Sequence, residues 1–279
     1  MSPEEALAAC EASVRQADPD RYFASLFAPA EKRPLLFALY AFNHEIARAV
    51  EVAREPMMAE IRLQWWREAV DEAGKGRPRM HPVAIALAEL LSCNGVSAAE
   101  LLALIDARGD EITSAPFADL ASLETHIEAT FGALLHVAAS LLDSIFSIPD
   151  LTRQAGIAYG LAGIMRAVPF HAARGKTFLP ADLLAAEGLT TNDALSRRHG
   201  AGVKHVIARL AEVAKRHFEQ ARQVRIPKQI LPAILPAALV PVYLRHVTRH
   251  SHDPLRDRDN VSLFHRQSIL LRAAMFRRL

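Results

Sequence analysis

The chain has few cysteines, few aromatic residues and no long hydrophobic run, and each shortage removes a class of protein. Cys10 and Cys93 are the two cysteines in 279 residues and form no CxxC pair. Two cysteines could not staple a secreted chain of this length, so a reducing compartment is expected. The most apolar stretch, Ile230 to Leu244, carries Pro232, Pro236 and Pro241 and is too short to span a bilayer. It reads as a buried, kinked core helix. The opening MSPEEALAACEASVRQADPD has neither a basic start nor an apolar core, which argues against a secretory signal or an Arg-rich presequence and for a cytoplasmic protein. A formal net charge of +2 calls for no polyanionic partner, and the basic residues are not interleaved with aromatics as in nucleic-acid binders. His44 and Glu45 lack the second histidine of HExxH, and no GxGxxG, P-loop or nucleophile elbow is present.

What remains is a chain with 51% hydrophobic residues, dominated by Ala and Leu. That composition supports one large all-α domain over residues 1–279, with a basic tail from about 245 to 279. Helix signals recur along it. Ser2 with Pro3, Glu4 and Glu5 starts a helix that Asp18, Pro19 and Asp20 stop. Lys32 to Val52 forms a long helix with Leu36, Leu39, Tyr40, Asn43 and Ala47 on one side. Trp65 and Trp66, being adjacent, cannot both face the same side of the helix around them, so one is expected in the core. Ser97 with Glu100 has the spacing of a capping box. The tail sequence SLFHRQSILLRAAMFRRL reads as an amphipathic basic helix, suited to an anionic membrane or to packing on the body; Arg256, Arg258, Asp257 and Asp259 precede it.

The most informative stretch is Tyr159 to Pro180, YGLAGIMRAVPFHAARGKTFLP. An apolar helical face, with Gly160, Gly163, Ile164 and Ala167 suited to close packing, runs into Arg166, Arg174 and Lys176 without a single carboxylate. This stretch resembles the second signature helix of the squalene and phytoene synthase family, in which acids stand where this chain has Ala167 and His171. A second block, ALYAFNHEIARAVE at 38–51, is similar to the family's first signature; ALYAF matches residue for residue, but Ala47, Arg48, Ala49 and Val50 replace the acidic run and Glu51 stands at the place of its last acid. Further segments resemble the family in order: IRLQWWREAVDEA, HPVAIALAELLSCNGVS, LLALIDARGDEI and LETHIEATFGALLHVAASLL, the last with Phe131 where a smaller residue would leave the cavity wider.

The resemblance implies an isoprenoid-synthase-type helical bundle around a central cavity. It also implies a diminished site. The family's chemistry expels diphosphate with the help of magnesium, which needs oxygen ligands. Ala167 and Ala47 supply none, imidazole at His171 suits magnesium poorly, and the Arg48 cation would repel it. Within the family, one branch shares the ALxAFN, QxW and RAxPxHxxRxKxFLP patterns: the phytoene-synthase-like assembly factor of respiratory complex I and its bacterial relatives. Here Asn43, Gln64, Trp65, Arg166, Ala167, Pro169, His171, Arg174, Lys176, Phe178, Leu179 and Pro180 carry the match.

That likeness implies a non-catalytic protein that helps to build respiratory complex I (NADH dehydrogenase), with complex I subunits or assembly intermediates as partners. An isoprenoid or lipid in the retained cavity and a peripheral contact with the inner face of the membrane go with it. No cofactor is expected. The alternatives are a divergent prenyltransferase, for which alone Mg2+ would matter, and an isoprenoid-binding carrier. Candidate ligand- or diphosphate-binding residues are Arg48, Arg166, Arg174 and Lys176. Candidate cavity residues are Tyr40, Asn43, Ala47, Glu51, Phe131, Tyr159, Ala167, Phe170 and His171.

Overall fold

Capping residues set the helix starts in the first part of the chain. In the computed structural model, which describes all residues except 54, 114, 146–147, 197–198 and 258–260, Ser2 and Glu5 exchange side-chain and backbone bonds at the start of α1 (Pro3–Ala17). Asp18 then accepts the Arg21 amide and caps α2 (Pro19–Ser25). Helix α3 (Arg33–Glu51) holds Pro34 in its first turn, where no backbone donor is lost. Next come α4 (Pro56–Gly74), α5 (Pro82–Leu91) and α6 (Ala98–Ala107), the last opened by the Ser97–Glu100 box. A 3-10 turn (Arg108–Glu111) follows, then α7 (Leu120–Ile127), a π turn (Glu128–Gly132) and α8 (Ala133–Leu142). The long α9 (Pro149–Ala172) leads through α10 (Ala181–Ala186) and α11 (Thr191–Leu195) into α12 (Gly200–Gln223). The chain then runs through α13 (Leu231–Ile234), a 3-10 segment (Leu235–Leu239), α14 (Val240–Val247) and α15 (Leu263–Phe276). No strand occurs among the described residues.

Helix α9 is the axis of the second half, packed against α12, α8, α14 and the π turn. Glycine makes that approach possible. A Cβ on Gly156 would lie 2.4 Å from the Gly132 Cα, and one on Gly160 would lie 2.4 Å from the Ile127 side chain and 2.9 Å from the Phe131 ring. The π turn carries Phe131 into this crossing, a local widening of the helix that helical spacing alone does not announce. In the first half α3 is the axis, against α1, α4 and α5. Trp66 is buried there, while Trp65 is partly exposed and meets it edge-on at 4.8 Å.

The proline-rich stretch is buried from Ile230 through Val240, its three prolines dividing it into two short helices joined by a 3-10 segment. The tail differs from a simple amphipathic helix. Helix α15 does lay Leu270 and Ala273 on the body, tied down by Arg266 Nη1 on Asp20 Oδ1 at 2.7 Å, but its opposite side is apolar as well. Arg258 and Asp259 lie outside the described residues.

Candidate functional site

Helical spacing converts two separated sequence blocks into the facing walls of one cavity. Tyr40, Asn43, Ala47 and Glu51, three or four residues apart on α3, form one wall, and Gly163, Ile164, Ala167 and His171 on α9 form the other. Phe131 closes the space between them, with Phe178 beside His171 at 4.6 Å between ring centroids. Its volume is about 250 Å3, just below the ordinary range for ligand clefts.

The floor of this cavity is ionic. Arg108 Nη1 meets Glu111 Oε1 at 2.6 Å, and its Nη2 donates to Asn43 Oδ1 at 3.2 Å. His126 Nε2 lies 3.1 Å from the same Glu111 oxygen, and Lys176 Nζ donates to the Glu111 carbonyl at 3.1 Å. Burial alone would raise the Glu111 carboxyl; Arg108 and His126 outweigh that and hold it at about 2. At the α1–α2 junction Arg21 pairs with Asp18 at 2.6 Å, its guanidinium 5.5 Å from the Tyr40 ring, 5.7 Å from Phe131 and 5.3 Å from Tyr159. His171 is pushed down to about 4 by burial, with Arg174 and Lys176 adding to the effect against Glu111, so its imidazole is neutral near pH 7. Glu51, at the solvent-facing mouth, is raised by desolvation of its carboxyl and by the Glu111 charge.

Of the four candidate cations, Arg48 and Arg166 lie away from this cavity, while Lys176 meets its floor and Arg174 stands near enough to act on His171 and Glu51. Arg48 is exposed and lines a separate surface pocket with Arg62, Trp65 and His81. Arg166 stacks on the Tyr243 ring at 3.6 Å, near the buried Asp20. Arg174, past the end of α9, is exposed and lies over Phe170 at 3.6 Å. Lys176 reaches only the Glu111 backbone. Of the cavity candidates, Tyr40, Asn43, Ala47, Glu51, Phe131, Ala167 and His171 line the space. Tyr159 is buried beside it, under Arg21 and 3.5 Å from Asp20 Oδ2, because the close crossing at Gly160 turns its side chain into the core. Phe170 is 41% exposed on the outer side of α9, one residue and about 100° from His171. Asp18, Arg21, Arg108, Glu111 and His126 belong to the site although none is a candidate site residue from the sequence: Arg108, Glu111 and His126 lie in segments that resemble the family, and Asp18 reads there only as a helix stop. The signal for Arg21 was a lone arginine three residues after a capping aspartate in an apolar run.

A magnesium ion does not fit this donor set. The two walls offer Ala47 and Ala167 at their centres, Glu111 is committed to Arg108 and His126, and Asp18 is committed to Arg21. Among the described residues no group of three His, Cys, Asp or Glu side chains could hold a metal ion.

The squalene/phytoene synthase profile matches residues 14–267. The chain belongs to the squalene/phytoene synthase family. The human protein named NADH dehydrogenase (ubiquinone) complex I, assembly factor 6 is 30% identical over 251 residues, covering 88% of this chain and 74% of the relative. Presqualene diphosphate synthase of Rhodopseudomonas palustris is 26% identical over 222 residues, covering 76% of this chain and 77% of the enzyme. A crystal structure of a dehydrosqualene synthase superposes with a TM-score of 0.81 at 18% identity, covering 98% of this chain and 97% of the other. That identity supports the fold alone.

Proposed function

We propose that this chain is a non-catalytic member of the squalene/phytoene synthase family that assists the assembly of respiratory complex I. The observation that carries the reading is the interior of the bundle, where Ala47 and Ala167 face each other's side of a cavity of about 250 Å3 in which Glu111 and Asp18 are paired with the protein's own Arg108 and Arg21, leaving Glu51 at the mouth as the other lining carboxylate. Diphosphate departure needs charge neutralisation at the leaving oxygens. Here Arg108 and Arg21 are engaged with Glu111 and Asp18, Arg48 and Arg166 lie away from the cavity, and Lys176 donates to the Glu111 carbonyl. The likeness to assembly factors from human, Bos taurus and Rattus norvegicus, each 30% identical over 251 residues, supports the same reading. An ionic floor opposes an apolar chain, which favours an assembly role exerted through the protein's surface over carriage of an isoprenoid.

Two measurements test it. Purified protein incubated with farnesyl or geranylgeranyl diphosphate, with and without magnesium, is expected to release no diphosphate above a heat-killed control. Deletion of the gene is expected to lower assembled NADH dehydrogenase without changing squalene or carotenoid levels. Diphosphate release, or altered isoprenoid products with intact complex I, would establish a prenyltransferase instead.

A further inference from the structure

Helix α15 is apolar on two opposite sides. At 100° per residue, Ile269, Leu270 and Ala273 share the side that packs on the body, where Arg266 anchors the helix to Asp20. Diametrically across, Phe264, Leu271 and Met275 fall on one line, 81%, 52% and 69% exposed. They extend about 16 Å along the helix axis. Exposed large side chains scattered singly need no explanation, but three in register on the outer face of one helix mark a contact surface. Phe276, also exposed, continues the apolar surface at the helix end.

The surroundings of this line are strongly basic. Arg272, Arg277 and Arg278 are exposed on and just beyond the last turn of α15. A groove of about 1010 Å3 separates α15 from α12 and α14, and with its continuation past Gln223 it is rimmed by Lys215, Arg222, Arg225, Lys228 and Arg245, all exposed. Among the described residues lining this groove, the acidic side chains are Glu212 and Glu219, and Glu219 is bound to Arg222 at 3.1 Å.

We propose that the outer face of α15 docks this protein on an anionic lipid bilayer, with Phe264, Leu271 and Met275 entering the boundary between headgroups and acyl chains and Arg272, Arg277 and Arg278 meeting lipid phosphates. Charge decides the occupant. A second copy of the chain on this face would bring one basic rim against another, whereas a surface of lipid phosphates neutralises it. The shape agrees: the apolar line is straight and one residue wide, and arginine stems can lie along acyl chains while their heads stay at the phosphates. No helix among the described residues is long and apolar enough to cross a membrane, so the contact is one of lying on the surface. The lipid contact is carried by the exposed residues of α15 and does not rest on the assembly role.

Cosedimentation of the full chain with vesicles tests it. Binding is expected to vesicles of phosphatidylglycerol in phosphatidylcholine, with little to phosphatidylcholine alone, and it should weaken as salt is raised. The variant Phe264→Ser, Leu271→Ser, Met275→Ser should bind at least tenfold less while keeping its far-ultraviolet circular dichroism and melting temperature, because those side chains are exposed in the free protein. Replacing Arg272, Arg277 and Arg278 by glutamine should cost about fivefold per cation, on the order of a hundredfold together, and abolish the preference for the anionic lipid. A Phe264→Trp variant gives an independent readout, an emission shift to shorter wavelength on adding anionic vesicles. Failure of the wild-type chain to sediment with anionic vesicles, unaltered binding by the triple serine variant, or no shift from Trp at position 264 would overturn the proposal, and an acidic protein that bound the same face while vesicles did not would replace it.

Discussion

The cavity between α3 and α9 and the outer face of α15 invert the usual distribution of side chains. Inside, Arg21, Asp18, Arg108, Glu111 and His126 place charge where an apolar lining would be cheaper; outside, Phe264, Leu271 and Met275 place apolar surface in water. The two inversions have different resolutions. Both interior arginines pair with a carboxylate of the chain at 2.6 Å, although Arg21 Nε and Nη2, Arg108 Nε and His126 Nδ1 stay buried without a hydrogen-bond partner among the described residues. The exterior apolar line has no partner among the described residues. Buried charge here is largely answered from within the chain, whereas exposed apolar surface tells of a contact still to be made.

The strongest way to break the interior half of that contrast is Arg108→Ala. It leaves Glu111 buried with only His126 to answer its charge and strips Asn43 of its donor. Removing one member of a buried pair costs about 3–5 kcal/mol. Urea unfolding followed by circular dichroism should show a midpoint lowered accordingly, and the double variant Arg108→Met, Glu111→Leu should recover much of the loss. A loss below about 1 kcal/mol for the single variant would mean that water reaches Glu111 freely and the interior is open.

A smaller effect lies in pH. His171 is neutral in the fold with its pKa at about 4, against 6.5 in an unfolded chain. Between those values the unfolded state binds the extra proton, so the histidine's contribution is complete above pH 6.5 and is lost as pH falls toward 4. With allowance for its partial exposure the loss is on the order of 2 kcal/mol. Asp20 and Glu51, both raised, act in the opposite sense and relieve the fold as they take up protons. The histidine is isolated by difference: in denaturation from pH 7 to pH 4.5, the stability of wild type should fall relative to that of His171→Gln as pH drops. Below that window the depressed Glu111 takes over, its contribution present above its unfolded value near 4.5 and lost as pH falls through about 2.

How much of this could be read in the sequence depends on the separation between interacting residues. The helical walls were legible, since Tyr40, Asn43, Ala47 and Glu51 repeat at helical spacing within one element and Ala167 and His171 do the same. The reciprocal caps at Ser2 and Ser97 were legible for the same reason. Nothing local joins Arg108 to Asn43 across 65 residues or Arg266 to Asp20 across 246. Proximity in sequence also misled: Arg166, Arg174 and Lys176 stand close together along the chain, but α9 ends at Ala172, so the backbone turns between the first and the others and sends them to three different surroundings. The α15 segment reads in sequence as an amphipathic basic helix; only packing shows which side is covered and leaves a second apolar side exposed.

The smallest expected effect sharpens the exterior half of the contrast. Phe264 is 81% exposed, so Phe264→Ser removes almost no packing from the free protein, and its unfolding midpoint should stay within about 0.5 kcal/mol of wild type. Serine at this position keeps Ser262 free to cap the helix through the His265 amide, so helix content should hold as well. A near-zero change has content here because the cost of truncating a core phenylalanine is about 3–5 kcal/mol. A loss of that size would show that Phe264 is covered by the protein's own chain in solution, and the outer face of α15 would then be interior surface rather than a docking face.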